Sequence, residues 1–413
     1  ASNNTAVGLN SLYTNTTGAN NVAVGKDALI ASTTAGNNTA VGYDCLQANT
    51  TGAGNVAVGK SALEANTTAS ENTAVGMNAL GANTTGDLNV AIGGNALQAN
   101  VAGDRAVAIG YQALAVQNPS GNVDTYNVAI GLNSQSNTTT GINNVAVGGA
   151  SLAANTTASN NTAVGSAALG ANTTGTQNTA LGATTLDANT TGDNNTALGW
   201  SALTASTTGS GNTAVGSIAL FVNTTGASNV AVGQEAMRYN TTASNNTAVG
   251  FQALNANTTG TNNVAVGKDS LDSNTTGNNN VAVGMDALQA NISGNNNVAV
   301  GTQALINNTG ASNTAVGNDT LAANTSGADN VAVGRSCLDA NTTASSCTAV
   351  GASALGSNTT GALNTAVGSS AMANNTTGAY NVAMGFAALQ LNTTANDNTA
   401  FGYAALNATT TGA

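Results

Sequence analysis

The sequence predicts an all-β protein, a parallel β-solenoid (β-roll) of about 24 coils with 17 residues per coil, shaped as an elongated rod. A glycine returns every 17 residues and carries the same segment with it, so that Asn21–Gly25 is repeated as Asn38–Gly42 and so on to Asn398–Gly402. Each segment is rich in β-branched residues, which favour strands. Hydrophobic residues make up 41% of the chain but aromatic residues only 3%, which fits a thin core of small side chains. Strict repetition at a short period is typical of stacked coils.

The repeat extends over the whole chain and predicts a single domain, residues 1–413. Irregular coils are expected at 111–131 and 302–317, where the interval between glycines is four residues longer and one residue shorter than 17. Stacking at a strand spacing of ~4.8 Å gives a rod of roughly 115 Å for 24 coils.

The first element of each coil is the strand that ends at the repeated glycine. The residue two before the glycine is always Ala, whereas Val or Thr lies three before it and an apolar residue one before it. Because successive side chains in a strand point to opposite faces, Ala faces one side and its neighbours face the other. Both faces are apolar, so one is expected to line the coil interior and the other to pack against a partner chain.

The remaining elements are an apolar segment and a turn. Leu follows four residues after most of the repeated glycines and is expected to fill the coil interior. The Asn-Thr-Thr-Gly run that follows predicts a turn, with a positive φ at Gly18, Gly52 and Gly86. The prediction is a coil of two or three short strands and tight turns; the alternative is one strand followed by a helical turn at Ala-Leu-x-Ala-Asn.

Two rows of asparagine recur at fixed places in the coil. The first begins the strand, and stacked amides there are expected to hydrogen-bond along the row: Asn21, Asn38, Asn55, Asn72 and Asn89. The second opens the turn and also reads as Asn-x-Thr, the acceptor sequence for N-glycosylation: Asn15, Asn49, Asn66, Asn83, Asn155 and Asn172. Turn chemistry alone also explains the second row.

The residues directly after the repeated glycine vary freely and carry half of the aromatic side chains. These form a candidate stripe for contact with a partner: Tyr43, Tyr111, Trp200, Phe251, Phe386 and Tyr403. The alternative is a set of scattered surface residues with no common ligand.

Composition argues against several classes of function. A net charge of −11 disfavours binding to nucleic acid or to anionic membrane surfaces. No apolar run reaches the roughly 18 residues that would predict membrane insertion. With no histidine, His-based catalysis is excluded, and Cys45, Cys337 and Cys347 are expected to be buried thiols rather than metal ligands. We therefore expect no enzyme activity, no cofactor and no metal.

One segment, 54–61, matches the phosphate-binding pattern G-x-x-x-x-G-K-[ST]. The four residues between its glycines are the repeat's own strand, and other coils keep that strand without the Lys-Ser. A chance match within a glycine-periodic chain is the favoured interpretation.

Asn-Val-Ala-Ile-Gly at 89–93 and 127–131 resembles the head repeats of trimeric autotransporter adhesins. The whole series is also similar to repeats in phage-type tail-fibre proteins and in bacterial surface proteins. The resemblance implies a left-handed parallel β-roll with three chains side by side. The coil here is longer than in those heads, since it adds the Leu and the Asn-Thr-Thr-Gly turn.

These observations predict a non-enzymatic structural protein that forms the shaft of an extracellular or surface filament. The expected partners are copies of itself, by end-to-end stacking or as a side-by-side trimer, because the chain is in phase with the repeat from Ala1 to Ala413. One alternative is an adhesin or tail-fibre segment that binds a host surface or glycan through the aromatic stripe. A further alternative is ice binding through the Thr-Thr rows.

Overall fold

The computed structural model describes residues 2–410 and confirms the parallel β-solenoid with about 17 residues per coil. Among these residues most coils have a single three-residue strand, not two or three, and turns and bends make up the remainder; two coils add a strand of two residues. The alternative helical turn at Ala-Leu-x-Ala-Asn does not form in any described coil. The first and last residues used for the in-phase ends, Ala1 and 411–413, lie outside the described residues.

Within residues 2–210, one of two compact units, the strands stack in parallel and pair in register with the strand one coil away, so that Ala23 pairs with Ala40. An additional short parallel pair joins Gly103–Asp104 to Val123–Asp124. The strands are β1 Thr5–Val7, β2 Val22–Val24, β3 Thr39–Val41, β4 Val56–Val58, β5 Thr73–Val75, β6 Val90–Ile92, β7 Gly103–Asp104, β8 Val107–Ile109, β9 Val123–Asp124, β10 Val128–Ile130, β11 Val145–Val147, β12 Thr162–Val164, β13 Thr179–Leu181 and β14 Thr196–Leu198.

Residues 211–410 belong to the second compact unit and repeat the same arrangement, with each strand again pairing in parallel with the next. Its strands are β15 Thr213–Val215, β16 Val230–Val232, β17 Thr247–Val249, β18 Val264–Val266, β19 Val281–Val283, β20 Val298–Val300, β21 Thr314–Val316, β22 Val331–Val333, β23 Thr348–Val350, β24 Thr365–Val367, β25 Val382–Met384 and β26 Thr399–Phe401. The prediction of a single domain stays a prediction.

Strand alternation places the residues as the sequence predicts. The central Ala, as in Ala23 and Ala265, is fully buried, while the flanking β-branched residues are partly exposed. Leu29 and its equivalents between the first and last coils are also fully buried, which confirms Leu as the interior residue. The core of each coil is therefore thin: the strand Ala, a second small residue and one Leu.

The buried Leu adopts a left-handed backbone, which the sequence did not indicate. Leu29 has φ +51°, and Asp27 and Asn37 in the same coil have φ +58° and +63°. A left-handed backbone costs a non-glycine residue roughly 1–2 kcal/mol, whereas complete burial of a Leu contributes about 1.5–3 kcal/mol. Packing of Leu against the next coil thus offsets the backbone cost and lets the chain turn within 17 residues.

Only glycine fits at the repeated position, because the backbone there has a positive φ and because the next coil leaves no room for a Cβ. Gly25 has φ +140°, and a Cβ there would lie 2.2 Å from the carbonyl oxygen of Gly42 in the next coil. The prediction of a positive φ at Gly18, Gly52 and Gly86 is wrong. At these turns the constraint is the approach of the next coil, since a Cβ on Gly52 would lie 2.1 Å from the carbonyl oxygen of Ala69.

Both irregular coils keep their strand and change only the turn segment. The longer one carries β9, which pairs with β7, while β10 stays in register with β8. In the shorter one, β21 stays in register with β20. The column of strands within each unit is therefore continuous through both irregularities.

Candidate functional site

The asparagine that begins each strand forms a buried ladder. The backbone N–H of Asn38 donates to Oδ1 of Asn21 at 3.0 Å, and its Nδ2 donates to the carbonyl of Gly52 at 3.0 Å. Asn55 repeats both bonds, to Asn38 and to Ala69, at 2.9 and 2.8 Å. The five predicted members of the row, among them Asn72 and Asn89, are fully buried. Each amide thus ties the start of a strand both to the preceding strand and to the turn.

The asparagine that opens the turn forms a second buried ladder. Nδ2 of Asn66 donates to Oδ1 of Asn49 at 2.9 Å and to the carbonyl of Ala69 at 3.0 Å. Asn83 makes the equivalent bonds to Asn66 and Gly86. Each amide nitrogen therefore binds across the coil boundary and within its own turn.

The second ladder is interrupted where serine replaces asparagine. Ser32 follows Asn15 in the row, and Ser206 follows Asn189. In both places the serine Oγ and the preceding asparagine Oδ1 are buried, and neither has a hydrogen-bond partner. The shorter side chain of serine does not span the distance between coils that Nδ2 of asparagine spans.

Burial of this row bears on the predicted glycosylation sites. Asn49, Asn66, Asn83, Asn155 and Asn172 are fully buried. Nδ2 of each, and of the half-buried Asn15, donates to a turn carbonyl. A glycan on any of these nitrogens requires the turn to open first. Their glycosylation stays a prediction.

A third set of contacts between coils, which the sequence analysis missed, uses the residue directly after the turn glycine or after the Ala in its place. The Oδ1 of Asp87 accepts the backbone N–H of Ser70 at 2.6 Å, and Oδ1 of Asn278 accepts that of Thr261 at 2.7 Å. Ser, Asp and Asn at this slot supply the acceptor, whereas Ala and Gly do not. The intermittent identity of the slot explains why no regular pattern marked it.

The outward side of the strands is an apolar face that runs along each unit. We name it the strand face and define it by the residues one and three before the repeated glycine. In successive coils Val283, Val300, Val316, Val333 and Val350 are each 37% exposed. The strand face has no partner within its own unit, as the alternation of the sequence predicts.

The six aromatic residues of the candidate stripe are all exposed, from 40% for Phe251 to 81% for Tyr403. Phe386 and Tyr403 stack with ring centroids 5.5 Å apart. Nζ of Lys26 lies 5.0 Å from the centre of the Tyr43 ring. Trp200 is 61% exposed, and Tyr111 50%. The stripe runs beside the strand face, one residue beyond the repeated glycine.

The cysteines are buried thiols, and the phosphate-loop match is part of a strand. Cys45, Cys337 and Cys347 are buried, and burial raises the pKa of the Cys45 and Cys337 thiols to about 12, so that they stay protonated. Between the glycines of the 54–61 segment lies β4, and no helix follows Ser61. Among residues 2–410 no group of three or more acidic or cysteine side chains is placed to hold a metal ion.

The Thr-Thr rows do not present two equivalent columns of hydroxyls. The first threonine donates to the next coil, as Thr50 Oγ1 does to the carbonyl of Thr67 at 3.0 Å. The second, such as Thr51, is exposed. One outward hydroxyl per coil is left, which weakens the case for ice binding through these rows.

No protein-family model matches this chain, and no curated protein matches it with significance. The described residues also contain no helix that could cross a membrane.

Proposed function

We propose that this protein is a structural, non-enzymatic solenoid that forms the shaft of an extracellular or surface fibre and packs against copies of itself through the strand face. The observation that carries the proposal is the continuity of this apolar face. Each coil contributes a face about 10 Å wide and ~4.8 Å high, so twelve coils present a sheet face of about 580 Å². The residue one before the glycine is apolar in every coil, and the residue three before it is Val in half of the coils and Thr in the other half. Apolar patches of about 300–600 Å² are the largest that monomers expose and are often functional.

The placement of the irregularities supports this use of the strand face. The inserted residues and the deleted residue both fall in the turn segment, and β10 and β21 keep their registers. A surface that packs against a regular partner tolerates changes on the opposite side of the coil better than changes within itself. The three sets of hydrogen bonds between coils give a shaft the stiffness it needs.

Self-association is tested with charges placed on the strand face. The triple variant Val300→Lys, Val316→Lys and Val333→Lys puts three cations on the face where each Val is 37% exposed. A matched control places the same charges on exposed turn residues: Thr276→Lys, Ser326→Lys and Thr343→Lys. We expect light scattering and negative-stain microscopy to show assemblies for the control and dispersed single chains for the strand-face variant. Dispersed single chains for the unmodified protein would refute the proposal.

A second candidate function is binding of a host surface or glycan through the aromatic stripe, favoured by the exposure of its rings. The triple variant Trp200→Ala, Phe251→Ala and Tyr403→Ala removes three of them. Tyr380→Ala is the control, because Tyr380 is 60% exposed but lies outside the stripe. If the stripe is the binding site, binding to an immobilised glycan panel should be lost in the triple variant and kept in the control. Binding that remains in the triple variant would exclude the stripe as the binding site.

A further inference from the structure

A second group of Asn-x-Thr sequences lies at the turn that precedes the strand, where Asn-Asn-Thr occurs. In the coils after the first, the first residue of these triplets is Asn37, Asn160, Asn194 or Asn245. All four are exposed, and each has a left-handed backbone with φ between +58° and +63°. Their position in the coil differs from that of the buried turn row, although both groups share the same acceptor sequence.

Strand alternation separates the three residues of each triplet. In the first one, Asn37 points outward, Asn38 is fully buried in the ladder, and Thr39 returns to the outer side. The backbone N–H of Asn37 donates to the carbonyl of Ala19 at 3.0 Å, which holds the turn in place. The amide and the hydroxyl that define an N-glycosylation acceptor thus face the same side of the folded coil.

The asparagine Nδ2 and threonine hydroxyl groups of these triplets are also free to react. Among the described residues, Nδ2 of the four asparagines donates no hydrogen bond, and Oδ1 of Asn37 only accepts one from Asn20 at 3.2 Å. The hydroxyls of the paired threonines, Thr39, Thr162, Thr196 and Thr247, make no hydrogen bond either. Other exposed Asn-x-Thr sequences differ here: after Asn137, the hydroxyl of Thr139 donates to the carbonyl of Thr156. The Asn-Asn-Thr triplet at Asn3 differs too, since its Nδ2 donates to Asn20.

We propose that Asn37, Asn160, Asn194 and Asn245 are the sites at which the folded single chain accepts a sugar on its asparagine side chains. Because the paired threonines belong to the strand face, attachment takes place before that face packs against another copy and is an alternative to packing in these coils. The donor is a nucleoside-diphosphate hexose. A bond forms between Nδ2 and the anomeric carbon of the hexose, and the bond from that carbon to the diphosphate breaks. The nucleoside diphosphate leaves with the electron pair, and the proton from Nδ2 passes to the transferase and then to water.

The test treats the full chain with an asparagine glycosyltransferase and a uridine-diphosphate hexose, followed by peptide mass spectrometry. We expect hexose on Asn37, Asn160, Asn194 and Asn245 of the folded protein and none on Asn49 or Asn172. In a denatured sample Asn49 and Asn172 should also be modified, because their turns have opened. Modification of Asn49 to the same extent in folded and denatured protein, or no modification of the four proposed sites, would overturn the proposal.

Threonine-to-valine variants supply a control that preserves the fold, because other coils have Val at the same slot, as at Val22 and Val145. Thr162→Val should abolish hexose on Asn160 and leave Asn194 modified. Thr196→Val should give the converse result. Hexose that remains on Asn160 in Thr162→Val would show that attachment does not follow the triplet and would contradict the assignment.

Discussion

Asn263→Ala tests whether the buried asparagine ladder holds one coil to the next. Oδ1 of Asn263 accepts both the backbone N–H and the Nδ2 of Asn280, at 3.0 and 3.2 Å. Nδ2 of Asn263 donates to the carbonyl of Gly277 at 2.8 Å. Both asparagines are fully buried, so water does not replace the lost partners. The substitution therefore leaves the N–H of Asn280 without an acceptor.

The expected cost follows from these two losses. An unpaired buried N–H costs about 1–3 kcal/mol, and the lost bond to Gly277 costs about 0.5–1.5 kcal/mol. The carbonyl of Gly277 keeps a second donor, Nδ2 of Asn274 at 3.1 Å, and adds no further penalty. We expect the free energy of unfolding to fall by about 1.5–4.5 kcal/mol.

Hydrogen exchange is the appropriate assay, because stacked repeats are stabilised by nearest-neighbour contacts and open locally. A loss of about 1.4 kcal/mol corresponds to a tenfold change in an equilibrium. Amide exchange in peptides that cover Asn280 and β19 should therefore accelerate at least about tenfold. The control is Thr259→Ala, since Thr259 is exposed in the adjacent turn. Equal exchange in Asn263→Ala and in the control would refute the role of the ladder.

Three further predictions follow from single positions. Ser206→Asn supplies a donor for the buried Oδ1 of Asn189, which has no partner. We expect chemical denaturation to show that the free energy of unfolding rises by about 0.5–1.5 kcal/mol, and an unchanged value would show that serine at this position does not weaken the ladder. Gly250→Ala places a Cβ 2.5 Å from the carbonyl oxygen of Gly267 at φ +139°; we expect a marked fall in melting temperature by circular dichroism, and an unchanged value would contradict the close approach. Burial raises the pKa of the Asp272 carboxyl above its ordinary value of 3.8. The folded state therefore favours the protonated carboxyl, and the stability that this preference contributes is present below pH 3.8 and is lost as the pH rises through the folded pKa. Asp272→Asn should therefore stabilise the protein near neutral pH and have little effect near pH 3 in denaturation curves, and an equal effect at both pH values would contradict this linkage.

The sequence predicted those features that depend on period and polarity. The 17-residue return, the inward Ala and the interior Leu follow from alternation and hydrophobicity, and the structure has all three. The two asparagine ladders were also predictable, because amides at one height per coil have few other partners. A fixed residue type at a fixed place in the repeat was the signal in each case.

The features that the sequence did not predict depend on backbone conformation. The turn glycines Gly18, Gly52 and Gly86 suggested a positive φ, but the left-handed residues are Leu29, Asp27 and Asn37 and their equivalents. Propensity disfavours Leu in that conformation, and only burial against the next coil offsets the cost. That contact exists only once the coils are stacked, so a local pattern could not indicate it.

The difference between the two groups of Asn-x-Thr sequences had the same origin. Asn49 and Asn37 both belong to acceptor sequences, but the first is fully buried and the second is exposed. The acceptor pattern alone does not distinguish them; Asn49 opens the turn and Asn37 precedes the strand, and this place in the coil decides whether the side chain is buried. Exposure follows from the path of the coil, which the acceptor sequence does not encode.

Cryo-electron microscopy of the assembled protein tests the proposed fibre shaft most directly. The proposal predicts chains packed side by side, with the strand faces around Val300 and Val333 buried against another copy. Dispersed single chains, or assemblies in which the strand faces are turned to solvent, would contradict it.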